Sequence, residues 1–214
     1  LVSGEVRTEN LAGGGARIHS GGSLPGDSGS YALTSDFYPN GWIHVSMELD
    51  ADRDLPDIPR VGMQVKIPER YDNIDYFGRG PHENYIDRCT SADVGMYTAT
   101  VSNFGEPYIY PQENANRTGV RWMAFRDENN TGILVTADSL LSMSAWPCSQ
   151  DAIEKATHTI ELPEEPDHTI NIDLVQMGVG GNDTWSDVSI PLPRYLVNSG
   201  YRKYSFWIKP VSGQ

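Results

Sequence analysis

Apolar and polar side chains alternate with a period of two along much of this chain, the pattern of strands with one buried and one wet face. The clearest case is a pair of runs, 30–38 and 42–50, on either side of Pro39-Asn40-Gly41. Asn-Gly is the preferred pair for a tight hairpin, because the turn asks for positive φ. In the second arm Ile43, Val45, Met47 and Leu49 alternate with His44, Ser46 and Glu48. After an Asp- and Pro-rich loop over 50–59, the period returns at Val61, Met63, Val65 and Ile67. Further strands are predicted over 74–77, 94–101, 120–126, 132–136, 169–174 and 204–208. Residues 2–25 give a weaker strand pattern, with turns expected at Gly13-Gly14-Gly15 and Gly21-Gly22. One short helix is expected, capped by Ser149, with Asp151 in its first turn and 152–157 continuing it. Short strands with turns between them predict a single all-β sandwich domain over 1–214, without internal repeats or a linker.

Three segments break the strand rhythm. Gly78-Arg79-Gly80-Pro81 and the charged residues up to Arg88 read as a structured loop, with a helical turn begun at Pro81. The segment 107–114 is aromatic but too proline-flanked for a central strand. The third, 176–187, follows a strand with Gly178, Gly180 and Gly181, which allow a sharp turn. Asn182, Asp183 and Thr184 then supply short polar groups, and Trp185 a rigid aromatic plate. Such a plate beside small polar groups suits the apolar face of a sugar ring; the competing role for Trp185 is a core plug. A dinucleotide-binding turn is excluded, because Asp183 replaces the third glycine and Pro191 and Pro193 forbid the following helix.

Charge and chemistry narrow the picture. A net charge of −13 repels nucleic acid and suits a neutral ligand. No apolar run approaches the ~20 residues of a membrane helix, so no membrane partner is expected. The chain begins at Leu1 without a signal-peptide pattern and reads as part of something longer. Cys89 and Cys148 form no metal or redox motif and are expected as two free, buried thiols, with a disulfide as the alternative, which leaves the compartment open. A glycosidase needs two carboxylates about 5 to 9 Å apart across a sugar. Glu83, Asp87, Glu106, Glu113 and Asp183 are candidates, but no spacing selects a pair. Glu83, Asp87 and Arg88 in one tight loop read more simply as salt bridges and caps. His19, His44, His82, His158 and His168 lack ligand spacing, and His44 is expected to be solvated on its polar strand face. No serine sits in a Gly-x-Ser-x-Gly elbow. What emerges is a sugar-compatible β module with no evident catalytic set.

Four motifs then carry a resemblance: Arg60-Val61-Gly62; 76–88, Tyr-Phe-Gly-Arg-Gly-Pro-His-Glu-Asn-Tyr-Ile-Asp-Arg; 107–114, Pro-Tyr-Ile-Tyr-Pro-Gln-Glu-Asn; and 176–186, Gln-Met-Gly-Val-Gly-Gly-Asn-Asp-Thr-Trp-Ser. Together they resemble the C-terminal, small-chain domain of large bacterial β-galactosidases of glycoside hydrolase family 2. The likeness runs from about residue 56 to the C-terminus, and the first fifty residues agree only in strand pattern. It implies a large antiparallel β-supersandwich, galactose mutarotase-like, and a family domain that starts upstream of Leu1. It implies a parent enzyme hydrolysing terminal non-reducing β-D-galactosides with retention. In that family the catalytic glutamates lie on a (β/α)₈ barrel that this chain lacks, so the isolated fragment is expected to be inactive. Trp185 matches the tryptophan that the family extends to the substrate, with Asp183 and Asn182 beside it as substrate-binding residues. No cofactor is expected in this chain; magnesium and sodium are bound by other domains of the parent. The implied partners are a galactoside, the parent's own barrel and further copies in a homo-oligomer. A self-contained carbohydrate-binding module and a mutarotase-like epimerase are the alternatives, although mutarotase catalytic residues find no matching motif.

Overall fold

The computed structural model describes residues 2–181 and 190–213. Twelve strands form an all-antiparallel β architecture with one α-helix among the described residues. They are β1 (Val2–Ser3), β2 (Arg7–Asn10), β3 (Ala16–Ser23), β4 (Gly29–Phe37), β5 (Ile43–Ala51), β6 (Arg60–Pro68), β7 (Asn73–Gly80) and β8 (Asp93–Thr100). The rest are β9 (Arg117–Arg126), β10 (Gly132–Trp146), β11 (Asp167–Gln176) and β12 (Tyr201–Val211), with α1 at Gln150–Lys155. The main sheet runs β1-β3-β4-β5-β12-β10-β9-β7-β8, while β6 and β11 form a separate wing attached through β10.

The wing exists because β10 exchanges one neighbour. Residues 132–137 pair with β12 and residues 142–146 with β11, while β9 stays paired on the other side through a register shift between Thr136 and Leu141. A bulge of this kind bends a strand and turns a corner, which closes a sandwich. Val45, Tyr76, Met123, Val135 and Phe206 of the main sheet then share one core with Ile67, Ile170 and Ile172 of the wing. Alternation supplies the inward set, and burial of that set holds the two layers together at roughly 25 cal/mol per Å² of apolar area.

The predicted hairpin forms as β4 and β5, with Phe37 opposite Ile43 and Gly41 at φ +81. The predicted cap forms too: the Ala152 N–H donates to Ser149 Oγ at 3.3 Å, although the helix stops at Lys155. Cys89 and Cys148 are both free, but only Cys148 is buried; Cys89 lies half-buried in the loop after Arg88. No helix among the described residues is long and apolar enough to cross a membrane.

Four expectations change. Gly21-Gly22 is no turn but part of β3, because a side chain on Gly21 would stand 2.6 Å from the Tyr31 carbonyl oxygen across the ladder. No helical turn follows Pro81; the Asn84 side chain pins that segment to Thr118 instead. The alternation over 169–174 suggests a wet face on β11, yet Thr169, Asn171 and Asp173 are all buried. Strand β11 lies between two neighbours and is covered, so its polar residues find partners inside; Asn171 Nδ2 donates to Ser144 Oγ at 2.8 Å. His44 is not simply solvated, since its Nε2 lies 2.9 Å from Asp138 Oδ2.

Candidate functional site

The glycine-rich turn leaves the end of β11 and is fixed at its root by three backbone donors. Met177 N donates to the Pro59 carbonyl at 2.9 Å, Gly178 N to the Tyr195 carbonyl at 2.9 Å, and Gly180 N to Asp87 Oδ2 at 2.8 Å. Gly180 and Gly181 take φ +66 and +82, as the turn chemistry predicts. Gly178 has a different reason to be glycine: a Cβ there would lie 2.5 Å from the Asp87 carboxyl carbon. The returning chain passes Pro191, Leu192, Arg194 and Tyr195, which with Asp87 and Arg88 line a cleft at the foot of the turn. Asn182, Asp183 and Trp185, the residues expected to meet a sugar, lie outside the described residues, as does the candidate carboxylate Asp183.

Beneath this turn lies a buried charge network. Arg60, opening β6 opposite Gln176, pairs through Nε with Asp173 Oδ2 at 2.9 Å and through Nη2 with Glu113 Oε1 at 3.0 Å. Its guanidinium also sits 5.6 Å from the centre of the Trp146 ring. Asp173 is 1% exposed, and burial pushes its carboxyl up to about 7 against the opposing pull of Arg60. Burial raises Glu113 as well, again against Arg60. The motif Arg60-Val61-Gly62 follows from this arrangement. Gly62 faces Asp173 across the ladder, and a Cβ there would collide with the carboxylate.

The second half of the network belongs to 83–88 and 107–115. Glu83 accepts from Arg88 Nη2 at 2.8 Å, from the Ala115 N–H at 2.9 Å and from the Tyr108 hydroxyl. Its oxygens are committed, which bears out the salt-bridge and cap reading. The Tyr85 hydroxyl is held well above its usual range by burial and then by Glu113 and Glu83. The aromatic segment is fastened by Trp146 Nε1 donating to the Asn114 carbonyl at 2.9 Å and Thr159 Oγ1 to the Tyr108 carbonyl at 2.8 Å. Of the candidate carboxylates, Glu83, Asp87 and Glu113 are therefore brought to the same corner, while Glu106 stays exposed outside it. Each of the three holds backbone or a cation. Among the described residues no group of three His, Cys, Asp or Glu side chains is placed to hold a metal.

Sequence reasoning missed Asp173, Gln176 and Tyr195 as parts of this corner. Asp173 had a weak signal: it is the acid in an otherwise apolar Ile172-Asp173-Leu174 run. Its partner Arg60 lies on a different strand, and only the fold brings the two together.

The family model described as beta galactosidase small chain matches residues 9–209. The likeness thus begins near the N-terminus, well before residue 56. A β-galactosidase of Vibrio cholerae is 38% identical over 168 residues, covering 78% of this chain and 15% of that protein. One of Priestia megaterium is 31% identical over 189 residues, covering 88% and 18%. One of Photobacterium profundum is 34% identical over 195 residues, covering 90% and 18%. This chain therefore spans less than a fifth of the length of these relatives, as one of their domains. With four motifs in a single fold and a family match over nearly its whole length, the chain belongs to the β-galactosidase small-chain family.

Proposed function

We propose that this chain forms one wall of the substrate site of a β-galactosidase that hydrolyses terminal β-D-galactosides with retention. The catalytic glutamates lie on a separate (β/α)₈ barrel of the same protein, which itself works as a homo-oligomer and holds its magnesium and sodium in other domains. Asn182, Asp183 and Trp185 meet the sugar on the leaving-group side, and the 214 residues alone have no hydrolytic activity. The observation that carries this reading is the commitment of the local carboxylates. Glu83, Asp87 and Glu113 are spent on Arg88, backbone N–H groups and Arg60, so this corner is a rigid support and not an acid–base pair. A firm root at Pro59, Asp87 and Tyr195 is what a projecting recognition segment needs, since pre-ordering lowers the entropy lost on binding.

Trp185→Ala in the full-length protein tests this. An aromatic contact adds roughly 0.5–1.5 kcal/mol beyond the area it buries. Lactose, whose glucose needs the plate, should lose about ten-fold or more in kcat/KM, while a nitrophenyl galactoside with its activated leaving group loses much less. If both substrates fail together and the melting temperature collapses, the tryptophan is a core plug and the wall reading is wrong.

A further inference from the structure

At the far end of β5 from this corner, the outer face of the main sheet carries an aromatic cluster that the small-chain reading leaves unused. Strand β5 covers nine residues, so at about 3.4 Å per residue its ends stand roughly 27 Å apart. One end, at Ala51, leads through Gly200 and Val197 to the root of the glycine turn; the other opens at Ile43 beside the hairpin loop. On that second end Trp207 of β12 faces His44, with ring centres 4.5 Å apart. Tyr38 lies 5.6 Å from Trp207 at an interplanar angle of 30°, and Trp42 stands edge-on to it at 6.0 Å and 78°. The Lys209 ammonium sits 4.6 Å from the centre of Trp42 and 5.8 Å from that of Trp207.

The rings are held in place by one carboxylate. Asp138, at the bulge of β10, accepts from Trp207 Nε1 at 3.2 Å, from Ser205 Oγ at 2.5 Å and lies 2.9 Å from His44 Nε2. Ser205 donates to Asp138 and not to His44, so the three do not make a nucleophile and its base. What results is a fixed corner of aromatic plates, its outer plate Trp42 being 41% exposed, with the Lys209 ammonium over Trp42 and Trp207 and the Tyr38 ring beside them.

We propose that Trp42, Tyr38, Trp207, Lys209 and Asp138 form a second carbohydrate-binding surface that takes a neutral oligosaccharide. A pyranose presents an apolar C–H face and a rim of hydroxyls, and this surface offers the complement of both. The plates supply apolar area, and the Lys209 ammonium and the Tyr38 hydroxyl supply polar groups beside it, while Asp138 is spent on positioning Trp207 and His44. A protein partner fits less well, because the centre of a protein interface is depleted of Lys and Asp, and here these two charges sit among the rings. The net charge of −13 likewise disfavours an anionic polymer.

The test is affinity gel electrophoresis of the full-length protein through soluble β-1,4-galactan and, in a parallel gel, dextran. Retardation by either neutral polymer is expected, weakened ten-fold or more by Trp42→Ala and largely kept by Trp42→Phe. Hydrolysis of a nitrophenyl galactoside should be unchanged in both variants. Lys209→Ala, a change at a half-buried position outside the core, should weaken retardation about three-fold and covers the case in which Trp42→Ala lowers the melting temperature. An unretarded wild type, or retardation that survives Trp42→Ala in a folded protein, overturns the proposal. A changed oligomeric state in Trp42→Ala with retardation intact also overturns it, and makes the face a protein contact.

Discussion

Two carboxylates in this molecule do the same job under opposite conditions. Asp173 lies under the glycine turn, 1% exposed, with Arg60 as its cation. Asp138 lies on the outer face, its side chain 39% exposed, with three side-chain donors around it. Burial lifts Asp173 to about 7, and one guanidinium shared with Glu113 does not offset it. Burial acts on Asp138 too, but bonds from Ser205, His44 and Trp207 outweigh it and hold the carboxyl below its usual range. Counting partners is therefore not enough. A carboxylate keeps its charge when donors reach it while water still does; it gives the charge up when the protein encloses it with less than one full cation.

Breaking the buried side should cost most. Arg60→Met leaves Asp173 enclosed without a cation and takes the ion pair from the half-buried Glu113; removal of one partner from a buried pair costs about 3–5 kcal/mol. Urea unfolding at pH 8 should show a loss of that size, and a smaller one at pH 5, where Asp173 holds its proton. Equal losses at the two pH values would mean that the network matters only as packing.

The pH dependence itself sharpens the contrast. Because the folded-state pKa of Asp173 is raised, the folded protein keeps a proton between about pH 4 and 7 that the unfolded chain has released. Stability should fall as pH rises through that window and level off above it, by up to roughly 4 kcal/mol at 1.36 kcal/mol per pKa unit. Glu113 is raised in the same direction and adds to the slope. Asp173→Asn should flatten the slope in denaturation curves taken from pH 4 to 8. A variant that keeps the wild-type slope would assign the titration to another group.

The exposed side should break cheaply. Asp138→Asn removes a charge that water already screens, so its cost should stay within about 1 kcal/mol. The change should instead appear as a shift in tryptophan fluorescence, since Trp207 loses its ionic acceptor. A loss as large as that of Arg60→Met would erase the distinction between the two regions.

The sequence was most legible where one residue type has one local job. Asn40-Gly41 closes a hairpin because of backbone angles, and Ser149 caps a helix because its hydroxyl reaches the Ala152 N–H. The wing was not legible, because β10 changes partners in mid-strand and residues 137–141 keep no single period. The Arg60–Asp173 pair was invisible for a related reason: alternation marks Asp173 as wet, and only the layer over β11 makes it dry. The aromatic cluster had a usable signal. Trp42 just before β5 and His44 on it, and Ser205, Trp207 and Lys209 on β12, fall at spacing two, at positions where polar residues are expected. Of the segment 182–185 proposed to meet the sugar, only the turn that leads to it was readable in both sequence and structure.

The order of the strands carries a consequence for how this protein comes into being. Strand β12 follows all the others in sequence among the described residues, yet it sits between β5 and β10 and is there the only bridge between the β1–β5 meander and the rest of the sheet. During synthesis both flanking strands exist before their shared neighbour does, each with an open edge of unpaired backbone groups. Closing the sheet joins residues 43–50 to 201–208, and loop closure over such a span is slow. The sheet is thus assembled as two separate halves that wait for a keystone, and in that interval β5 and β10 are the edges most exposed to pairing with another chain.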